Sequence, residues 1–462
     1  MDIPHITRRS LIASAVTGSA AVLLAQPAEL LDRASAAARP ACDPHSVVEP
    51  LGVHQAGILT NPPEHLQLAA FDLVAGTPRA QLVALLRDWQ GAINLLARGL
   101  PLPDDAAPDK APADTGEALS QRADRLTITI GFGPALFDDR FGLADQRPAA
   151  LVDLPSFSGD ALEVGRSHGD LSVQCCAETR LVAEHALRTL ARMATGRATV
   201  RWVQAGFNEP PADPADGSGR NLFGFKDGTA NLNPADAGRM ARNVWVDPAD
   251  TPAWMAGGTY QVYRRVRMIT RTWDESVLSE QENVMGRRRA TGAPFGGTRE
   301  HDPVRSELLP ATSHVRLANP RTGQASEDER ILRRGYSFHD GLAADGSFDA
   351  GLAFIAYQRD VRRQFIPMQT RLAASDALNE YITHTASAIF AIPPGTTALG
   401  YVGETLLGAA PPRLTVPNPA ADLGTPTAPP PRTAAPAPAP AAPTRTAPSA
   451  DTRPRRRRPL KP

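Results

Sequence analysis

LTITIGFG, Leu126 to Gly133, alternates apolar and polar residues and ends in glycines, as a strand does on running into a turn. DLSVQCCA, Asp170 to Ala177, is a second strand-like run. Helical patterns stand beside them. AQLVALLRDWQGAINLLARG, Ala80 to Gly99, places apolar residues at helical spacing and closes on glycine, and TRLVAEHALRTLARMA, Thr179 to Ala194, does much the same. The later half repeats this character. TYQVYRRVRMI (Thr259 to Ile269) reads as a strand, WDESVLSEQENVMG (Trp273 to Gly286) as a helix and GLAFIAYQ (Gly351 to Gln358) as a buried strand. RDVRRQFIPMQTRLAAS (Arg359 to Ser375) reads as a helix broken at Pro367. Strand, helix and strand recur in each half, with no Gly-rich phosphate turn of a nucleotide fold. The spacing predicts an α+β chain with antiparallel sheets, each backed by helices.

Composition bounds what such a chain can be. Its 462 residues leave room for two or three domains, and 42% hydrophobic content supplies a sizeable core. Formal net charge is zero, which removes any global electrostatic reason to bind nucleic acid or an anionic membrane. Three cysteines, Cys42, Cys175 and Cys176, are too few and too uneven for a disulfide framework. Cys175 and Cys176 are neighbours on a strand, so they point to opposite faces and read as two small buried hydrophobes.

The two ends read differently from the middle. Arg8 and Arg9 precede a weakly apolar stretch from Leu11 to Ala25, and small residues follow at Ala34 to Ala38. That is the charged, apolar, small-residue order of an export signal, too short to span a membrane. TRRSLI resembles the twin-arginine motif, so residues 1–38 are expected to be a signal read by the twin-arginine translocase. From about Ala409 to Pro462 the chain is Pro, Ala and Thr, closing on RPRRRRPLKP. Such a segment lacks the apolar surface to fold and favours extended, solvated conformations. Its arginines offer contact with an anionic cell surface. The folded middle divides into an N-terminal half, 45–235, and a C-terminal half, 236–408, with the tail at 409–462.

Three strings in the middle carry chemistry. NLFGFKDGTANLNP, Asn221 to Pro234, sets Asp227 in a polar, glycine-rich turn; alone, that is an ordinary Asp-Gly turn. ATSHVRLANPRTG, Ala311 to Gly323, puts His314 on a short alternating segment. ERILRRGYSF, Glu329 to Phe338, holds Arg333 and Arg334 after an apolar pair. FKDGT, SHVRLANPR and ILRRGYSF resemble motifs of the dye-decolourising peroxidase family, in that family's order. GVHQAGI (Gly52 to Ile58), LTITIGFGPALF, SHGDLSVQCCA, VMGRRRATGAPFGG and GLAFIAYQRD are similar to its text as well. The resemblance spans roughly Val47 to Leu407. It is greatest to the twin-arginine-exported branch associated with iron uptake and deferrochelatase activity.

That resemblance implies two ferredoxin-like domains of the dimeric α+β barrel type, with haem held mainly by the second. It implies a peroxidase that uses hydrogen peroxide to oxidise small organic reductants such as dyes or phenolics. His314 matches the family's proximal haem ligand, and Glu380, in LNEYITHTASAIFAIP, stands at the place of the carboxylate that partners it. Asp227 matches the distal acid–base residue and Arg333 the distal arginine, with Arg334 as the competitor. On a strand only one of that pair can face the haem. Among Arg287, Arg288 and Arg289, Arg287 is the expected propionate ligand. Phe354 and Ile355 are candidate pocket-lining residues. No C-x-x-C-H occurs, so the haem is expected to be noncovalent haem b. Donors too large to enter would pass electrons through one of five tryptophans or six tyrosines, which the sequence does not rank.

Other functions stand against this. A protein that strips iron from haem needs His314 but not the Asp227–Arg333 pair. A structural surface protein explains the tail but none of the motifs. A chlorite-degrading haem enzyme of related fold lacks the distal Asp motif. Export by the twin-arginine route implies an extracellular, periplasmic or cell-surface destination.

Overall fold

The structure, a computed structural model, describes residues 43–103, 108–250 and 252–408. The export signal, Cys42 and the tail lie outside the described residues. Among the described residues nine strands make one sheet: β1 (His65–Leu73), β2 (Thr127–Phe132), β3 (Leu171–Ala177), β4 (Ala198–Phe207), β5 (Thr259–Met268), β6 (Leu332–Arg333), β7 (Tyr336–Leu342), β8 (Phe348–Gln358) and β9 (Ile382–Ile392). The first four run side by side as β2-β3-β1-β4, all antiparallel. The later strands run as β7-β8-β5-β9, with β6 continuing the line of β7 along β8. In both halves the first and third principal strands are central and the fourth lies beside the first. This is the ferredoxin-like order, made twice. Phe132 of β2 pairs with Ala391 of β9, and Phe207 of β4 with Ser337 of β7. Those two seams close the sheet into a barrel.

Closure buries both faces of the strands: every residue of β2 and β3 is buried. The alternation separates helix side from barrel interior. Ile128, Ile130, Val173 and Cys175 pack toward the helices α1 (Arg79–Leu96) and α2 (Arg180–Met193), against Leu82, Leu86, Trp89 and Leu190. Each buried Leu or Ile in that layer contributes about 1.5–3 kcal/mol. Cys176 faces the barrel interior with Leu68, Tyr263, Phe338 and Tyr357. Several polar members bond to one another: Gln261 Nε2 donates to Gln174 Oε1 (3.0 Å), and Tyr357 OH donates to the same oxygen (2.8 Å). Both described cysteines are buried free thiols on opposite faces, as the spacing indicates.

Three helix readings shift. The expected helix at 273–286 is two pieces, Thr270–Glu275 and α3 (Leu278–Met285), because Ser276 and Val277 are extended. The SHVRLA segment, read as alternating, is a helical turn, α4 (His314–Ala318). Pro367 does not break its helix. It lies in the first turn of α5 (Phe365–Ser375), where a backbone N–H has no intrahelical partner to lose. Among the described residues no helix is long and apolar enough to cross a membrane.

Candidate active site

His314 is the first residue of α4, after the extended Ser313. Its Nδ1 lies 2.7 Å from Oδ2 of Asp376, whose side chain is only 2% exposed. A hydrogen bond from Ala377 N to Thr312 O (2.9 Å) brings this segment alongside, and Asp376 Oδ1 is fixed by Leu378 N (2.9 Å). Glu380 does not partner the histidine. It lies exposed at the end of the short turn Ala377–Glu380, while the buried N-cap of that turn, Asp376, faces His314. An ionised carboxylate only accepts, so Nδ1 carries the proton of that bond and Nε2 is the nitrogen left to bind a metal. Burial works against charge on His314, but the Asp376 carboxylate outweighs it and raises its pKa.

Asp227 and Arg333 meet as the sequence pairing anticipates. Arg333 Nη1 donates to Asp227 Oδ1 at 2.8 Å, and their side chains keep 30% and 32% exposure for Asp227 and Arg333. Burial alone would raise the Asp227 carboxyl. The Arg333 guanidinium overrides it, helped by His314 and the Gly228 N–H, and holds the group below the ordinary carboxylate range. His314 thus lies within electrostatic reach of the pair. Arg334 points the other way, into the barrel, where it donates to Thr60 O.

The Asp227 turn is clamped from outside by Glu300, which the sequence did not single out. Its carboxylate accepts from Lys226 Nζ (2.9 Å) and Thr229 Oγ1 (2.7 Å), the residues flanking the Asp227–Gly228 step. Burial opposes that charge, but the Lys226, Ser218 and Thr229 donors pull the group down to about 2.

A cavity of about 480 Å³ opens beside this turn, lined by Thr229, Asn231, Arg287, Asn319, Arg321 and Arg330 among others. Arg287 is buried and donates to the carbonyls of Gly292 (2.6 Å) and Glu300 (2.9 Å). Arg321, at positive φ, donates to the carbonyls of Val315 (3.1 Å) and Asn319 (2.5 Å). Burial and the neighbouring Arg287 and Arg330 bring Arg321 down to about 10. Three guanidiniums share this lining with the carboxylates of Glu300, Asp302 and Glu327; among the described residues Arg330 is ion-paired (Glu327, 3.5 Å), while Arg287 and Arg321 bond to backbone carbonyls and keep N–H donors that suit an anion. Phe354 is half-buried against Phe365 of α5 (6.0 Å), and Leu317, Ala318 and Ile331 join the same core cluster. Ile355 instead faces the barrel interior. Among the described residues no group of three or more His, Cys, Asp or Glu could hold a bare metal ion. One histidine with a free Nε2 and arginines beside it suit a metal that arrives in its own anionic macrocycle.

Of the tryptophans, Trp89, Trp202, Trp254 and Trp273 are buried. Trp245 is half-buried and stacks on His54, with ring centroids 3.6 Å apart.

A barrel of two ferredoxin-like halves, with a His–Asp dyad in reach of an Asp–Arg pair, defines a haem-peroxidase class of site. The comparisons agree. The family description "Dyp-type peroxidase, N-terminal" matches residues 55–208, and "Dyp-type peroxidase, C-terminal" matches 218–397. The chain is 39% identical over 367 residues to the deferrochelatase of Escherichia coli K12, covering 77% of this chain and 86% of that one. A DyP-type peroxidase of Streptomyces coelicolor is similar in structure, with TM-score 0.73 and 40% identity, covering 80% of this chain and all of that one. Ferric DtpA of Streptomyces lividans gives TM-score 0.72 and 41% identity, covering 79% and 98% of the two chains. The chain belongs to the Dyp-type peroxidase family and is a haem-dependent oxidoreductase of that kind.

Proposed function

We propose that this chain holds haem b noncovalently on His314 Nε2 and oxidises small organic donors, such as dyes or phenolics, with hydrogen peroxide. The observation that carries the reading is the Asp227–Arg333 pair within electrostatic reach of the His314–Asp376 dyad. Arg287, Arg321 and Arg330 would take the haem carboxylates, and Phe354, Leu317 and Ala318 its apolar body. When bound, haem supplies the iron at which the peroxide O–O bond is cleaved and the oxidising equivalents delivered to donors. The chain's own residues manage the proton. Asp227, ionised, takes it from one peroxide oxygen and returns it to the other. The Arg333 guanidinium offers N–H donors to the oxygen that gains negative charge. Asp376 keeps the Nδ1–H of His314 in place and its ring oriented.

A second reading has its own support, because relatives at 39% identity are named deferrochelatase. One experiment separates the two. Haem-loaded protein is given peroxide and a phenolic donor while donor oxidation and free porphyrin are followed together. Donor turnover with haem retained supports the peroxidase. Metal-free porphyrin released without donor turnover supports iron removal.

Export through the twin-arginine route belongs to the same proposal, since a noncovalent cofactor crosses only with folded cargo. Replacing Arg8 and Arg9 with Lys is expected to leave active, haem-loaded protein in the cytoplasm. Undiminished export of holoprotein contradicts it. The basic tail would then meet an anionic surface outside the cell.

A further inference from the structure

Arg333 sits on an open edge. It is in register with Ala356 of β8, but Arg334 N, not Arg333 N, donates to β8, at Ile355 O (2.7 Å). The Arg333 backbone N–H and C=O therefore face away from β8, as alternate residues of an antiparallel ladder do. One side chain takes both. Asn231 Oδ1 accepts from Arg333 N (2.9 Å), and Asn231 Nδ2 donates to Arg333 O (2.7 Å). The amide is itself fixed, because Oδ1 also accepts from Leu232 N (3.0 Å) and Asn231 N donates to Gly228 O (2.9 Å). Asn231 thus ties the turn that carries Asp227 to the strand that carries Arg333. A further tie between the two is the Asp227–Arg333 ion pair, which on the peroxidase reading would open to admit peroxide. The Asn231 tie need not.

We propose that Asn231 is a positioning residue for the Asp227–Arg333 pair: its amide holds the Arg333 backbone at a fixed place beside the Asp227 turn, so the guanidinium stays aimed while the ion pair opens. The inference rests on the peroxidase reading of that pair. Only an amide fills both backbone positions at once, since a hydroxyl reaches one and a methyl neither. Arg330 Nη2 holds Ala230 O nearby (2.7 Å), and Glu300 clamps Lys226 and Thr229. The turn keeps other anchors when Asn231 is changed, so the change acts on aim more than on folding.

The test uses haem-loaded enzyme with Asn231→Ala and Asn231→Ser, and rates per bound haem. Asn231→Ala is expected to lower kcat/KM for peroxide by up to ~10²-fold, the usual cost of a small misplacement. It should leave kcat/KM for the organic donor near wild type, with Asn231→Ser intermediate. The acid limb of the peroxide step should also move to higher pH. Arg333, His314 and the Gly228 N–H face the Asp227 carboxylate, and of these Arg333 is the one Asn231 holds. A purely structural loss lowers both specificity constants together and leaves the limb in place; that pattern, or wild-type peroxide kinetics, overturns the inference. If Asn231→Ala does not load haem, Asn231→Ser decides by the same readouts. Wild-type kinetics in Arg333→Leu and Asp227→Asn would instead remove the peroxidase reading of the pair.

Discussion

Arg333→Leu is expected to slow the peroxide-dependent step by ~10²–10³-fold, the usual cost of removing one fixed donor to a developing negative charge. Haem content should stay near wild type, because Arg333 bonds to Asp227 and Asn231 and lies outside the Arg287–Arg321–Arg330 cradle. The variant carries a second signature. Arg333 is the main group that lowers the Asp227 pKa against its burial. Without it burial prevails, the carboxyl rises, and the acid limb of the rate shifts to higher pH. Stopped-flow mixing with peroxide across pH measures both effects. Arg334→Leu should lack them, since Arg334 faces the barrel interior; its cost should appear as lost stability. A normal rate in Arg333→Leu beside a crippled Arg334→Leu would mean the wrong arginine has been assigned.

His314→Ala is expected to leave protein that folds but retains little haem. His314 presents Nε2 while its Nδ1 is committed to Asp376. Asp376→Asn should be milder, since loss of a partner behind a ligand typically costs ~10–100-fold in affinity or activity. Glu380→Gln should be silent in both respects, because Glu380 is exposed and away from the ring. Haem titration followed at the Soret band ranks the three. Full loading of His314→Ala with an unchanged spectrum would move the ligand elsewhere.

Much of this was legible in the chain. Strands such as TYQVYRRVRMI and GLAFIAYQ declare themselves through β-branched and aromatic runs, and the period of two separates Arg333 from Arg334. What stayed hidden follows from geometry between segments. A five-residue helix is too short for its period to show, so SHVRLA passes for an alternating segment. Asp376 lies 62 residues from His314 and is selected by one backbone bond to Thr312, a contact no spacing rule encodes. Asp376 Oδ1 does cap Leu378 N, and that local capping pattern was the one sign in the sequence that this acid is fixed and buried. Asn231 and Glu300 act through partners 102 and 71 residues away, and their letters suggest only a turn and a surface acid. Closure of the barrel buries both faces of LTITIGFG, which alternation alone does not show.

The central claim is that Asp227 is the base that moves the peroxide proton, and the most direct measurement is the rate of the peroxide-induced spectral change in haem-loaded wild type and Asp227→Asn from neutral to acid pH. Asp227 must be ionised to accept a proton, and Arg333 keeps its pKa below the ordinary carboxylate range of ~4. The account predicts a wild-type rate that is flat through mildly acidic solution and falls only as pH drops through that lowered pKa. Asp227→Asn should be slow at every pH. A wild-type rate that collapses near neutrality, or an Asp227→Asn enzyme as fast as wild type, would contradict it.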